Sequence, residues 1–519
     1  MTYDSFMSVK TLKTLKGMTA ENALKHIGQL VDLSCDLKKR DGLERAIELA
    51  KELRANKTTK NQETLLDYFT ANAWAGLRRL ASTDGRTPWD WQQKEMENEL
   101  FHLRSAIQSD GFKTLDEVWR CQILTNLANL YDSIGRFIEA LDYWGQVLET
   151  NPSFGMARGN RGIALGSITR FLYDQGHAGM FLTRAYEEIQ AALHEQKYLQ
   201  ADAAKALNEY LAKIDAVLTK HANLRAAQLD SSSLGQSEDE IAYRKWCLKE
   251  CLFLNPLNDL ELCSVAARDV LMLPTIVTRV DEGPNHLGFY NQMKQEFVSA
   301  RYIYYEGLRS QSAHYSDREV MLYDTLDYPC YSLAVEKIKV AFRAAYSLLD
   351  KTSYFLNDYL KLGIAERDVN FKTFWYAARD KKKGLRSEFQ KCENWPLRGL
   401  FWLSQDLYND SPGFRGHVEP QAQKLYEIRQ HLEHKYLKLH EHGTPDSSSD
   451  IKGQDDTLAL RIGRKDFEVK TLQLLKMVRA SLIYLSLAVH QEERSRNKAR
   501  GLGKVVPIKL PNYDDKYKI

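Results

Sequence analysis

Apolar residues recur three and four positions apart along almost the whole chain, and alternating apolar–polar runs are nearly absent, so the pattern predicts helices throughout. Residues 121–152 show it most clearly. Leu124, Leu127, Ala128 and Tyr131 form one stripe, Gly135 interrupts it, and Phe137, Ala140, Leu141, Trp144, Val147 and Leu148 form a second stripe ahead of Pro152. Two antiparallel helices joined by a glycine turn are expected, with the small Ala128 and Ala140 where they approach. Residues 41–53 read as the second helix of a similar pair and residues 157–165 as the start of another. One such pair cannot bury its own face, so several must stack, and an irregular helical solenoid is predicted over residues 20–225. The Ser-rich stretch 229–239 (LDSSSLGQSED) reads as a linker. Beyond it the spacing predicts helices over 240–253, stopped by Asn255-Pro256, then over 289–309, 331–349 continuing or kinking into 351–362, and 396–408. Two more follow over 419–442, with Pro420 in its first turn, and 465–500. Long helices with short or polar connections predict an up-and-down antiparallel bundle.

Composition allows this reading and narrows the class. Only 12 prolines and 28 glycines in 519 residues leave long helices uninterrupted. The length exceeds one ordinary core, so the expected division is a repeat region at 1–228, the linker at 229–239 and a bundle domain at 240–519 with its core at 325–505. A net charge of +3 is too small for a dedicated nucleic-acid coat protein. Residues 231–519 tilt basic, with 43 Lys+Arg against 39 Asp+Glu, whereas residues 1–230 carry 29 against 30. Seven scattered cysteines without a C-x-x-C pair read as reduced thiols of a cytoplasmic protein. Cys247 and Cys251 share a helix face, but no second pair completes a zinc site. The first residues show no apolar leader. The most apolar run, 471–489, holds Lys476 and Arg479, which lipid disfavours, so a buried bundle helix is expected there and no membrane partner.

No phosphate-binding loop, dinucleotide fingerprint, H-E-x-x-H or G-x-S-x-G is present, and a strand-poor chain lacks the sheet that positions most of them. The polar cluster that remains is Arg429-Gln430-His431-Leu432-Glu433-His434-Lys435, set in a stripe of Ala422, Leu425, Ile428, Leu432, Tyr436 and Leu439. Arg429 and His434 lie about 140° apart around a regular helix, flanking the apolar seam. Polar residues in such places are ordinarily just solvated.

Two resemblances sharpen the picture. Residues 121–152 resemble a tetratricopeptide repeat (TPR) in their Leu-Ala-x-x-Tyr, Gly, Phe, Ala, Trp and terminal Pro positions. Arg429-x4-His434 on a late helix resembles the R-x4–6-H motif of HEPN ribonucleases. The stretches YRKWCLKECLFLNPLNDL (243–260), MKQEFVSARYIYYEGL (293–308), NWPLRGLFWLSQDLY (394–408), RQHLEHKYLKLH (429–440) and RIGRKDFEVKTLQLLKMVRASLIYL (461–485) resemble one bacterial HEPN family with TPR-like N-terminal extensions. The fold so implied is all-α, an irregular TPR-like solenoid followed by a HEPN-type antiparallel helical bundle.

The resemblance implies RNA cleavage without metal or cofactor, leaving 2′,3′-cyclic phosphate ends, in a toxin, stress-response or antiviral-defence setting. Arg429 would hold the scissile phosphate and His434 would act as general acid or base. Gln430 and Lys435 would contact the substrate. Many active members carry Asn, Asp or His directly after the Arg, so Gln430 is a departure, although it still donates and accepts hydrogen bonds. RNA, a protein partner on the TPR-like region and a second copy docked through the HEPN domain are the implied partners. The alternatives are a non-catalytic interaction and dimerisation scaffold, and a HEPN domain that binds nucleotide without cutting. His431, His434, His440 and His442 also admit a metal-cluster reading. The basic runs 379–386, 461–470 and 494–504 are possible phosphate tracks, and the aromatic stretch 371–376 (FKTFWY) is a possible base-stacking surface, with core packing the commoner fate of such rings.

Overall fold

The computed structural model describes residues 6–7, 10, 14–56, 58–81, 89–195, 199, 201–220, 233–260, 264–279, 281–310, 312–325, 327–390, 392–408, 420–441, 458–500 and 508–518. The N-terminal part consists of helical hairpins. α1 (Ala20–Asp36) packs on α2 (Arg40–Arg54), α3 (Lys60–Ala81) on α4 (Lys94–Gln108), α5 (Glu117–Ser133) on α6 (Phe137–Thr150), and α7 (Gly155–Ile168) on α8 (Gln175–Glu195), which α9 (Ala201–Lys220) covers. The expected stripes point inward: Leu124, Leu127, Ala128, Tyr131, Phe137, Ala140, Leu141, Trp144 and Val147 are all buried.

The C-terminal part opens with α10 (Glu238–Lys249), whose first turn is capped by the Ser237 hydroxyl, which accepts from the Glu240 amide. Residues 229–232 of the linker segment lie outside the described residues. The bundle is α11 (Asn285–Arg309), α12 (Leu333–Tyr359), α13 (Trp395–Tyr408), α14 (Pro420–His434) and α15 (Arg464–Arg500). The predicted 331–349 and 351–362 segments are one helix, and the loop 411–419 lies outside the described residues. α15 is the axis. α11, α12, α13 and α14 all pack on it, and Leu474, Leu475, Val478, Leu482, Ile483, Leu485 and Val489 are buried. It is long and apolar enough to cross a membrane, but 78% of its apolar window is buried by its own neighbours. Arg479 in that run is tolerated because Asp259 accepts from its guanidinium at 2.7 and 2.8 Å, and the carbonyls of Phe253 and Asn255 accept the rest.

One expectation is corrected. The predicted helix over 419–442 ends at His434, and residues Tyr436–His440 form a strand, β1, paired in parallel with β2 (Ala459–Gly463). Leu437 and Leu439 alternate as a strand requires, and the ladder to β2 fixes their backbone. The residues between, 442–457, lie outside those described.

A small core of residues 6–77 serves the first hairpin and part of α3, whereas a second, continuous core runs from Tyr68 to Val489 and joins array to bundle. At their contact Gly135 takes φ +88° and closes the α5–α6 turn against α13. A Cβ there would stand 2.2 Å from the Trp395 carbonyl oxygen, and one on Gly399 would stand 2.3 Å from that of Gly135. Trp395 stacks on Phe137 and Phe171. Beside them Asp406 of α13 is fully buried. Arg104 of α4 grips it through two bonds of 2.7 Å, and Arg136, just before α6, also bonds it. Arg136 is in turn held by Glu139, which bonds the Tyr484 hydroxyl of α15.

Burial raises the Asp406 carboxyl, but Arg104 and Arg136 outweigh it and hold it below the ordinary 3.8. A carboxylate with a depressed folded pKa contributes stability above its unfolded value and loses it only as pH falls through the folded one. Asp406→Ala, which strands two buried guanidiniums, is expected to cost about 3–5 kcal/mol in chemical denaturation at neutral pH. The wild-type advantage over the variant should hold down to about pH 4 and shrink only below it, a pattern that denaturation series at several pH values will test.

Candidate functional site

Leu425, Ile428 and Leu432 are buried and seat α14 on the bundle. Around that seam Arg429, Gln430 and His431 are half-buried, and Glu433, His434 and Lys435 are exposed. Arg429 faces α12. Its guanidinium carbon lies 5.3 Å from the Tyr346 ring centroid, and its Nη2 lies 3.9 Å from Asp350 Oδ2. The ring's negative face attracts the cation, so the guanidinium has a defined direction while staying about a third exposed. Burial pushes the Asp350 carboxyl above its usual range, opposed by the Phe371 amide that donates to it and by Arg429.

His434 is the last residue of α14. At this end one terminal carbonyl finds a side-chain partner. Arg343 of α12 donates to the Leu432 carbonyl at 2.7 Å, placing a cation at the negative end of the helix dipole. The chain then bends at Lys435 into β1. His431 turns its Nδ1 to the Glu427 carbonyl, 2.9 Å away. Arg429 and His434 thus share the last two turns of one helix, with Gln430 and Lys435 adjacent, and no hydrogen bond or ion pair joins Arg429 to His434.

A second polar group stands on β1; the sequence singled out His440 and Arg461 for other roles and missed Lys438 and Asp327. Lys438 donates to Asp327 at 2.8 Å with both side chains nearly buried, and Arg461 of β2 lies 4.0 Å from the same oxygen. His440 is buried beside them, and its Nε2 has no partner among the described residues. Burial lowers its pKa; Asp327 opposes that and Arg461 adds to it.

The other candidates fall out differently. Phe371, Phe374, Trp375 and Tyr376 are core, packed with Trp91, Phe389 and Phe401, and present no face to a base. Lys381, Lys382 and Lys383 are exposed, whereas Arg379 pairs with Asp368 and Arg386 donates to the Phe374 carbonyl. Burial pushes the thiols of Cys247 and Cys251 up to about 11, which leaves them protonated at neutral pH. Among the described residues no group of three or more His, Cys, Asp or Glu is arranged to hold a metal; His442 lies outside them. The partners of Arg429 had only one trace in the sequence, Tyr346 and Asp350 four apart on a single helix.

Residues 277–492, spanning α11 to the greater part of α15 and both strands, match the family model for LA2681-like HEPN. No curated protein matches the chain, and no solved structure does.

Because the Arg429–Asp350 contact is long and about a third exposed, it is an orienting contact more than a stabilising one. Asp350→Asn is expected to change unfolding free energy by less than about 1 kcal/mol, measured by urea denaturation.

Proposed function

We propose, on the premise that residues 277–492 form a HEPN domain, that the protein is a metal-independent endoribonuclease in which Arg429 and His434 carry the reaction. The observation that supports this best is their joint position on the last two turns of α14, inside the matched region. There one cation is oriented by Tyr346 and Asp350, and one imidazole is open to solvent.

In this reading the Arg429 guanidinium binds a non-bridging oxygen of the phosphodiester and offsets the charge that builds as the ribose 2′-oxygen attacks phosphorus. His434 moves a proton, taking it from the 2′-hydroxyl or giving it to the departing 5′-oxygen. The 2′-oxygen–phosphorus bond forms, the phosphorus–5′-oxygen bond breaks, and the products are a 2′,3′-cyclic phosphate and a 5′-hydroxyl. Gln430 and Lys435 contact the flanking backbone. The TPR-like array regulates the site and takes a protein partner, in a toxin, stress or defence setting. A second reading, a non-catalytic interaction and dimerisation scaffold, is favoured by one observation: Arg429 already has Asp350 as its partner and does not touch His434.

Purified full-length protein is expected to cut mixed RNA with EDTA present. Arg429→Ala and His434→Ala should each lower the rate by at least ~100-fold while leaving the far-ultraviolet circular dichroism unchanged. Cleavage that both variants retain, or that EDTA abolishes, would falsify this assignment. A well-folded protein that binds RNA or a partner but never cuts supports the scaffold.

A further inference from the structure

A cavity of about 250 Å³ opens in the array where α2, α3 and α4 meet. Its apolar wall is Ile47 and the half-buried indole of Trp74, which both belong to the small first core. The polar lining is mostly cationic, with Lys51 and Arg54 from α2 and Lys94 and His102 from α4. No carboxylate lines it among the described residues. Asp67 of α3 stands next to it, but its Oδ1 already accepts from Arg54 Nη2 at 2.6 Å and from His102 Nδ1 at 2.7 Å, and its side chain is only 9% exposed. That shared oxygen holds both donors in place and offsets one positive charge. The ammonium groups of Lys51 and Lys94 are exposed and have no partner among the described residues. Lys51, Arg54 and Lys94 against Asp67 give this set an excess of positive charge even with His102 neutral, and a hollow lined by one sign of charge draws in the other.

Size and lining together select the occupant. Pockets that enclose a whole small ligand run to roughly 300–1,000 Å³, so this one leaves too little room for a nucleotide and suits one or two side chains of a longer chain laid over its mouth. Lys and Arg make charge-assisted hydrogen bonds to carboxylates, and a tryptophan in a hollow is the kind of anchor on which binding energy concentrates. We infer that the cavity docks an acidic segment of a protein partner, with an apolar side chain against Trp74 and flanking carboxylates on Lys51, Arg54 and Lys94. The inference rests on the reading that the array takes a protein partner, and it gives that partner its chemistry. It also ties the partner to the bundle. α4 brings His102 to the cavity and, two residues on, Arg104 to Asp406 of α13, so the occupant is held by the helix that clamps the two parts of the chain together.

The test is fluorescence anisotropy on the full-length protein with three pools of labelled nine-residue peptides. One pool has a central Asp-X-Glu in which X is Leu, Ile, Phe or Trp; the other two replace both acids by Lys or by Ser. The acidic pool should bind with a Kd below ~100 μM, and the Lys and Ser pools at least ~10-fold more weakly. Lys51→Glu/Lys94→Glu, at two exposed positions, should bind the acidic pool at least ~10-fold more weakly with an unchanged melting temperature. Lys382→Glu/Lys383→Glu makes the same change of net charge at exposed lysines elsewhere and should bind like the wild type. An acidic pool that does not bind, or that binds both double variants equally well, overturns the inference. So does a single-stranded RNA oligonucleotide that displaces the peptides and itself needs Lys51 and Lys94, since the cavity is then an RNA contact. If the Lys or Ser pool binds in place of the acidic one, the array still takes a protein partner and only the acidic assignment falls; if no pool binds, the partner reading loses its support as well. Cleavage is not read, so a chain that never cuts RNA leaves the inference standing.

Discussion

Asp406 is a buried anion supplied by the bundle, and Arg104 and Arg136 are buried cations supplied by the array. A buried charge without its counter-charge costs several kcal/mol, so the array and the bundle can bury these groups only together. The surrounding contacts follow from that closure: the Gly135–Gly399 approach, Trp395 between Phe137 and Phe171, and Glu139 against Tyr484. The array is therefore part of the body that holds α15, through one continuous core. Perturbing α4 or α6 would reach α13 and α15 through packed side chains.

The candidate site depends on where α14 stops. Arg343 satisfies a terminal carbonyl, the chain bends at Lys435, and β1 then carries Lys438 and His440 into a buried cluster with Asp327. Had the helix run on, these residues would have been distributed around its surface. The change from helix to strand exposes His434 while fixing what lies behind it, and α12 supplies both Tyr346 beneath Arg429 and Arg343 at the helix end.

Much of the fold was legible in the sequence because helical periodicity is local. The glycine turn at Gly135 and the bundle helices other than α14 lie where the spacing puts them, within a few residues. The strand at Tyr436–His440 was not, since Leu432, Tyr436 and Leu439 fit helical spacing while Leu437 and Leu439 fit strand spacing. Its partner β2 lies beyond residues 442–457, too far for any local pattern to decide. Arg429 and His434 were legible as residue types at a spacing, but what each faces was not. Arg104 and Asp406 are 302 residues apart, and nothing near either in the sequence points to the other.

That separation sets an order of events during synthesis. Arg104 and Arg136 leave the ribosome 302 and 270 residues before Asp406 does. At 5–20 residues per second this is a wait of roughly 15 to 60 s, long against the folding of a helical hairpin. Through that interval the nascent array must keep both guanidiniums hydrated, its α4–α6 face open to water and to chaperones, until α13 emerges to close it.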